Sequence, residues 1–350
     1  GEVTYTMRRK FAVGVCCVCA AVLASPVCAA QAAEGGPVSA AAQPAGEENC
    51  IDTLLAFWDS LGAPRTGFVT VDGQLHYCSR PGVYDQFAPG FVTVEGKLYH
   101  VEPDGVTFTQ VPAGFSVVGS SLCYSSDGQS IDTFQPGFVT IEGRLYHVLP
   151  DGYSFECHTA GTYIYGSELY CVPADGAEFL TSGVWKGLEF GPDGRYTSGN
   201  AQLDGYVKQV LAQCTNDSMS QEQRLRAAYL YVRDHGRYLA RSHRARGSVD
   251  WAMEEAQFFF ENNRGNCYSF AGAFLYLARQ LGYEAYPVSG GVGYDNKDHA
   301  WVIMPWADGQ TYLFDVELEY AYRYRYANKR NLNLFKMTTA SAPFVYTFPQ

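Results

Sequence analysis

Residues 264–282 read RGNCYSFAGAFLYLARQLG, and residues 299–315 read HAWVIMPWADGQTYLFD. In the first stretch Phe270, Phe274, Leu277, Ala278 and Leu281 recur at the spacing of one helix face, which predicts a helix from near Cys267 to Leu281. Gly282 is placed to end it. The second stretch predicts a strand over 299–305 and another over 310–316, preceded by one at about 284–289. Upstream, Ser220 and Gln223 form a capping-box signature, and Leu225, Ala228, Tyr229 and Val232 follow at helical spacing. A further helix is expected over Asp250–Glu261. Beyond Asp315, Tyr320, Tyr322, Tyr324 and Tyr326 alternate, which predicts a strand completing the sheet. Helices followed by antiparallel strands make an α+β domain over residues 200–350.

Three residues there carry chemistry. Cys267 opens a helix, where backbone N–H groups and the helix dipole stabilise the thiolate, the reactive form of a nucleophile. His299 opens an apolar strand and suits a general base. Asp315, near the end of the next strand, can hold the imidazole tautomer and stabilise the imidazolium. A geometric condition follows. If Asp308-Gly309 were a simple two-residue turn, Val302 would face Asp315 and His299 would point to the opposite side of the sheet. The three residues therefore require an odd-length loop or bulge, expected to centre on Ala307 with Gly309 in the left-handed region. No zinc-like ligand pair and no EF-hand loop appears, so no metal or cofactor is expected. His235 and His243 read as surface residues.

The chain has 350 residues, 15% of them aromatic and 26 of them Tyr. Its net charge of −11 argues against nucleic acid as a partner. Arg8, Arg9 and Lys10, the apolar run Phe11–Leu23 and the small residues Ala29 to Ala33 read as a secretory signal peptide over 7–32, with cleavage after Ala29 or Ala32. The run is short for a membrane span, so no membrane association is expected after cleavage. A flexible linker is expected over 33–49 and a short helical lead-in over 50–66. Removing the signal leaves Cys50, Cys78, Cys123, Cys157, Cys171, Cys214 and Cys267. Outside the cell the first six would form up to three disulfide bonds, leaving Cys267 unpaired.

Residues 67–196 are repetitive. Copies start GFVTVDGQLHY at 67, GFVTVEGKLYH at 90, GFSVVGSSLCY at 114, GFVTIEGRLYH at 137 and GTYIYGSELYC at 161, with a shorter GVWKGLEF at 183. Leu75, Leu98, Leu122, Leu145 and Leu169 are separated by 23, 24, 23 and 24 residues. Each copy predicts two short strands around a Gly-bearing turn, for example Phe91–Val94 and Lys97–Val101 through Glu95-Gly96. One hairpin cannot bury its own face, so an all-β hairpin solenoid is expected.

The Gly-aromatic start, Gly-x-Leu-Tyr centre, Asp-Gly end and period resemble the cell-wall-binding repeats of Gram-positive surface proteins, the choline- and glucan-binding type. That implies a wall polymer as partner. The array departs from the family's Trp-rich pattern, since only Trp185 lies in it, and a structural spacer is the alternative. Arg-Gly-Asn-Cys with an Ala-rich helix, His-Ala-Trp and a strand ending in Phe-Asp, over roughly 200–320, resemble the transglutaminase-like superfamily. The resemblance implies a papain-like core with Cys267, His299 and Asp315 as Cys, His and Asp, and acyl transfer through a thioester. The family often has Pro-Thr after the Asp, where this chain has Val316-Glu317. The expected protein is a secreted or wall-located cysteine peptidase or amidase acting on wall-linked or extracellular protein. Protein-glutamine crosslinking and a non-catalytic surface protein are the alternatives.

Overall fold

The computed structural model describes residues 66–349. The expected signal peptide, linker, Cys50 and the lead-in helix up to residue 65 lie outside the described residues. Two compact units form. One runs to Gly114 and includes Ser125–Ile131; the other comprises Phe115–Tyr124 and everything from Asp132.

In the first unit, strands Gly67–Val71 and Gln74–Cys78 make one hairpin, and Gly90–Val94 and Lys97–Val101 a second. At the turns Asp72 and Gly73 have φ of 52° and 79°, and Glu95 and Gly96 have 52° and 73°. Two successive left-handed residues make the tight turn whose twist matches the strands, and Gly accepts that conformation without a Cβ clash. Strand Phe108–Gln110 sits between the hairpins in a five-stranded sheet. Phe68 of the first copy stacks on Tyr99 of the second, centroids 4.1 Å apart, and meets Phe108 edge-on at 5.5 Å.

The arrangement recurs further along the chain. Hairpins Gly114–Val118/Ser121–Ser125 and Gly137–Ile141/Arg144–Val148 flank strand Ser154–Phe155. Hairpin Gly161–Tyr165/Glu168–Val172 follows, then a three-stranded sheet of Gly183–Trp185, Leu188–Phe190 and Tyr196–Thr197. Phe138 stacks on Tyr170 at 4.0 Å, again joining one copy to the next.

The expected disulfide framework does not form among Cys78, Cys123, Cys171 and Cys214, which are free thiols. Cys78, Cys123 and Cys171 each fill the interior of their own hairpin as small apolar side chains. Burial pushes the Cys171 thiol up to about 12 and the Cys214 thiol up to about 11, which makes both poor nucleophiles. Cys267 is thus distinguished by position and not by an odd cysteine count.

Helix α1 (Ala201–Cys214) is capped by Asn200, whose side chain accepts from Gln202 and Leu203 N–H. Helix α2 (Gln221–His235) starts with the expected capping box of Ser220 and Gln223. Helix α3 (Ala252–Asn262) ends at left-handed Asn263. Helix α4 (Cys267–Gln280) is buried on nearly all sides, including Phe270, Phe274 and Leu277, as expected for a helix apolar all round. Lys208 pairs with Glu168 at 2.7 Å, and Gln280 Nε2 donates to the Ser167 carbonyl at 3.0 Å, joining hairpin 161–172 to the helices. Among the described residues no helix is long and apolar enough to cross a membrane.

Beside α4 lies an antiparallel sheet in the order Thr311–Phe314, Lys297–Pro305, Tyr286–Val292, Tyr346–Thr347. The expected strand through Tyr320–Tyr326 is instead helical: α5 (Val316–Tyr320) continues into a π turn, Ala321–Arg325. Alternation by two also places residues four apart, and the rings use that spacing. Tyr320 meets Tyr324 at 5.6 Å, and Tyr322 meets Tyr326 at 5.0 Å. Asp315 N-caps the helix, so strand 311–314 ends before it.

Helices α3 and α4 cross closely at Gly272. A Cβ there would lie 2.7 Å from the Ala252 carbonyl oxygen and 3.0 Å from the Ala256 nitrogen. Gly272→Ala is therefore expected to destabilise the fold by about 1–3 kcal/mol through overpacking, despite alanine's better helix propensity. Denaturant unfolding measures it.

Candidate active site

Cys267 begins α4 because Asn266 stops the extended chain before it. The Asn266 backbone is extended (φ −96°, ψ −168°), and its side chain accepts from Tyr268 N–H at 3.2 Å. Asn266 is fully buried. Behind this cap, Glu255 of α3 accepts from Ser269 of α4 and pairs with Arg241 at 3.1 Å and Arg244 at 2.6 Å. Burial opposes the Glu255 charge, but the Ser269 hydroxyl and the two guanidiniums outweigh it and hold the carboxyl below its usual range.

The turn before Asp315 has odd length. Pro305 faces Thr311 and Val302 faces Phe314, while Trp306 N–H donates to the Gln310 carbonyl. The loop of Ala307, Asp308 and Gly309 centres on Asp308, one residue later than expected, with Gly309 at φ 79°. Its parity still brings His299 and Asp315 to one side.

His299 Nε2 lies 2.8 Å from Asp315 Oδ2, with both residues buried. Burial opposes the imidazolium. The Asp315 carboxylate and its hydrogen bond, reinforced by the hydrogen bond and charge of Cys267, outweigh it and hold the His299 pKa well above the ordinary value. With Nε2 engaged by Asp315, Nδ1 is the nitrogen left for the thiol. Asp315 also accepts from Leu318 N–H at 3.0 Å and from the Tyr346 hydroxyl at 2.8 Å. Tyr346 comes from the last strand, where its ring meets Trp301 at 5.1 Å. Gly290, opposite His299 in the sheet, admits that strand, since a Cβ there would lie 2.3 Å from the Thr347 carbonyl oxygen.

Cys267 and His299 line a cavity of about 540 Å³, together with Tyr238, Glu317 and Arg325. At its rim Arg246 pairs with Asp298 at 2.7 Å, and exposed His243 lies 3.9 Å from the same carboxylate. The Arg325 guanidinium stacks over the Tyr238 ring at 3.7 Å. Glu317 is 5% exposed, and its Oε1 has no hydrogen-bond partner. Burial pushes its carboxyl up to about 7; the His299 and Arg325 charges pull it down and Asp315 adds to the rise. Sequence reasoning missed Tyr238, Glu317 and Tyr346 as site residues. Only Glu317 left a trace, as the departure from Pro-Thr after Asp315.

Residues 208–313 match the family model of the transglutaminase-like superfamily. The transglutaminase-like match contains Cys267 and His299 and stops two residues before Asp315. No curated protein matches the chain. Among solved structures, the hairpin region is similar to choline-binding protein F from Streptococcus pneumoniae, solved in the presence of a peptidoglycan analogue. That likeness has 17% identity over 38% of this chain and 40% of the other, with a TM-score of 0.23. The choline-binding domain of Spr1274 from the same organism has 16% identity over 25% of this chain and 99% of its own, TM-score 0.20. The modular autolysin LytC, also from S. pneumoniae, has 10% identity over 39% of each chain, TM-score 0.20. The match thus spans about two fifths of the length of choline-binding protein F.

Two outcomes follow from the geometry. Unfolded Glu317 loses its proton near its ordinary value of 4.5, while folded Glu317 keeps it to about 7. The folded state then binds more protons, so stability falls as pH rises through that window, by up to about 3 kcal/mol. Glu317→Gln should raise the melting temperature at pH 8 and leave it nearly unchanged at pH 4. Tyr346→Phe keeps the ring on Trp301 but removes one donor from a buried carboxylate, with an expected cost of about 1.5–3 kcal/mol in denaturant unfolding at pH 7.

Proposed function

We propose that residues 200–350 form a cysteine-dependent acyl-transfer enzyme in which Cys267 is the nucleophile, His299 its acid–base partner and Asp315 the residue orienting His299. The observation that supports this most is the 2.8 Å bond from buried His299 to buried Asp315, with Cys267 lining the same cavity and interacting with the same imidazole. In this reading the Cys267 thiolate adds to an amide carbonyl. The backbone N–H of Cys267 lies in the first turn of α4, where such groups lack an intrahelical acceptor, and it is the candidate donor to the developing oxyanion. The carbon–nitrogen bond breaks as the nitrogen takes up a proton, leaving a thioester. Water then attacks, releasing the acid and restoring the thiolate. Hydrolysis makes the protein a peptidase or amidase; attack by an amine makes it a crosslinking enzyme. Both share every group named above.

The protein is further proposed to be exported through the signal read at 7–32 and held at the cell wall by the repeats over 67–196. The support is the repeat motif itself together with the hairpins it forms. Retention of the purified chain on isolated cell walls, lost on deleting 67–196, tests the attachment; no retention leaves the repeats a spacer.

The enzyme reading is tested by reacting the full chain with an acyl-transferring thiol probe at pH 7 and mapping the labelled cysteine by mass spectrometry. Labelling is expected at Cys267, absent in Cys267→Ala and at least tenfold slower in His299→Ala. Labelling no faster than a free thiol, and indifferent to His299, would favour the non-catalytic surface protein.

A further inference from the structure

Glu317 is a buried carboxyl in the reaction cavity that the Cys267–His299–Asp315 arrangement leaves unused. It follows Asp315 by two residues, at the first turn of α5, and lines the same cavity as Cys267 and His299. One of its oxygens is buried with no partner among the described residues. Leaving a buried carboxyl oxygen unpaired is costly unless a bound molecule supplies the missing hydrogen bond.

We propose that Glu317 is a second proton-carrying group of the site, giving a proton to the departing nitrogen of an amide substrate and taking one back from the attacking water. This rests on Cys267 being the nucleophile. In the first half, the thiolate forms a carbon–sulfur bond and the carbonyl π pair moves to oxygen. Collapse reforms the carbonyl and breaks the carbon–nitrogen bond, and the nitrogen takes the Glu317 proton, leaving a carboxylate. In the second half, water attacks the thioester carbon and its proton returns to Glu317. The carbon–sulfur pair goes back to Cys267. Thiolate and acid are both restored, and the sum is amide plus water giving acid plus amine.

The surroundings suit a group that cycles. Glu317 faces the charges of His299, Asp315 and Arg325, and the phenols of Tyr238, Tyr326 and Tyr346. Burial pushes it up to about 7, with His299 and Arg325 pulling down and Asp315 adding to the rise, so both of its forms are populated near neutrality. His299, held well above its ordinary value by Asp315 and Cys267 despite burial, gives its proton up less readily. A group titrating close to the working pH transfers protons best in both directions.

The test uses 4-nitrophenyl acetate on the full chain. Its leaving phenolate needs no proton, so the burst reports thiolate attack alone, whereas the steady phase reports water attacking the acetyl-thioester. In the unaltered protein the steady phase should rise as pH increases through about 7, since the carboxylate is the form that accepts the proton. Glu317→Gln should slow the steady phase at least thirtyfold, slow the burst less than threefold and abolish the rise near pH 7. Both phases falling together, no change in either, or a rise that persists in the Gln variant would overturn the proposal. If the Gln variant does not fold, the unaltered protein decides: a steady phase flat between pH 6 and 8 overturns it. A burst that survives Cys267→Ala is a different outcome, and overturns the nucleophile assignment beneath it.

Discussion

A carboxylate with no exposure to water has to be matched by donors, and Asp315 is matched from several parts of the chain. Its side chain accepts from the His299 ring, from Leu318 in its own helix and from Tyr346 on the last strand. Its carbonyl accepts from Tyr229 on α2 at 2.9 Å. One residue therefore ties the central strand, the end of the chain and two helices, and at the same time sets the charge on the imidazole.

Two other buried carboxylates extend this framework. Glu319 accepts from Tyr229, Arg233 and the Leu334 N–H, which joins α2, α5 and the tail. Glu255 joins α3, the Arg241–Arg244 loop and α4 at Ser269. Each is a charge that the apolar interior would reject without its partners. Of these, Glu255 reaches α4 itself, through Ser269 two residues after the thiol, while Asp315 and Glu319 hold α2, α5 and the sheet together. Glu317 differs from all three, because one of its oxygens is unpaired and the residue lines the cavity.

The hairpin copies follow another principle. Each is too small to bury a face, so rings of one copy lie on rings of the next, as Phe68 does on Tyr99 and Phe138 on Tyr170. Within such a repeat a cysteine is a small apolar filler. That is why Cys78, Cys123 and Cys171 lie inside their hairpins as free thiols, although an extracellular reading of the count favoured bridges.

The period, the residue-Gly turns and the capping box were legible because each depends on residues within a few positions of one another. So was the start of α4, where Asn266 and Cys267 are adjacent. The parity condition on the loop at Ala307–Gly309 was legible too, since side chains alternate along a strand. The centre of that loop was not, because moving it by one residue shifts the pairing by two and leaves the same side chains on the same face. Alternating tyrosines at 320–326 satisfy a strand and an i, i+4 helical face equally, and only the capped helix decided between them. Tyr346 is 31 positions from the carboxylate it binds, and Tyr238 reaches the cavity from outside every motif. Sequence alone determined the hairpins, the helix starts and the order of Cys267, His299 and Asp315. Tertiary structure decided which distant groups satisfy the buried charges, because that pairing depends on proximity in space, which local propensity does not encode.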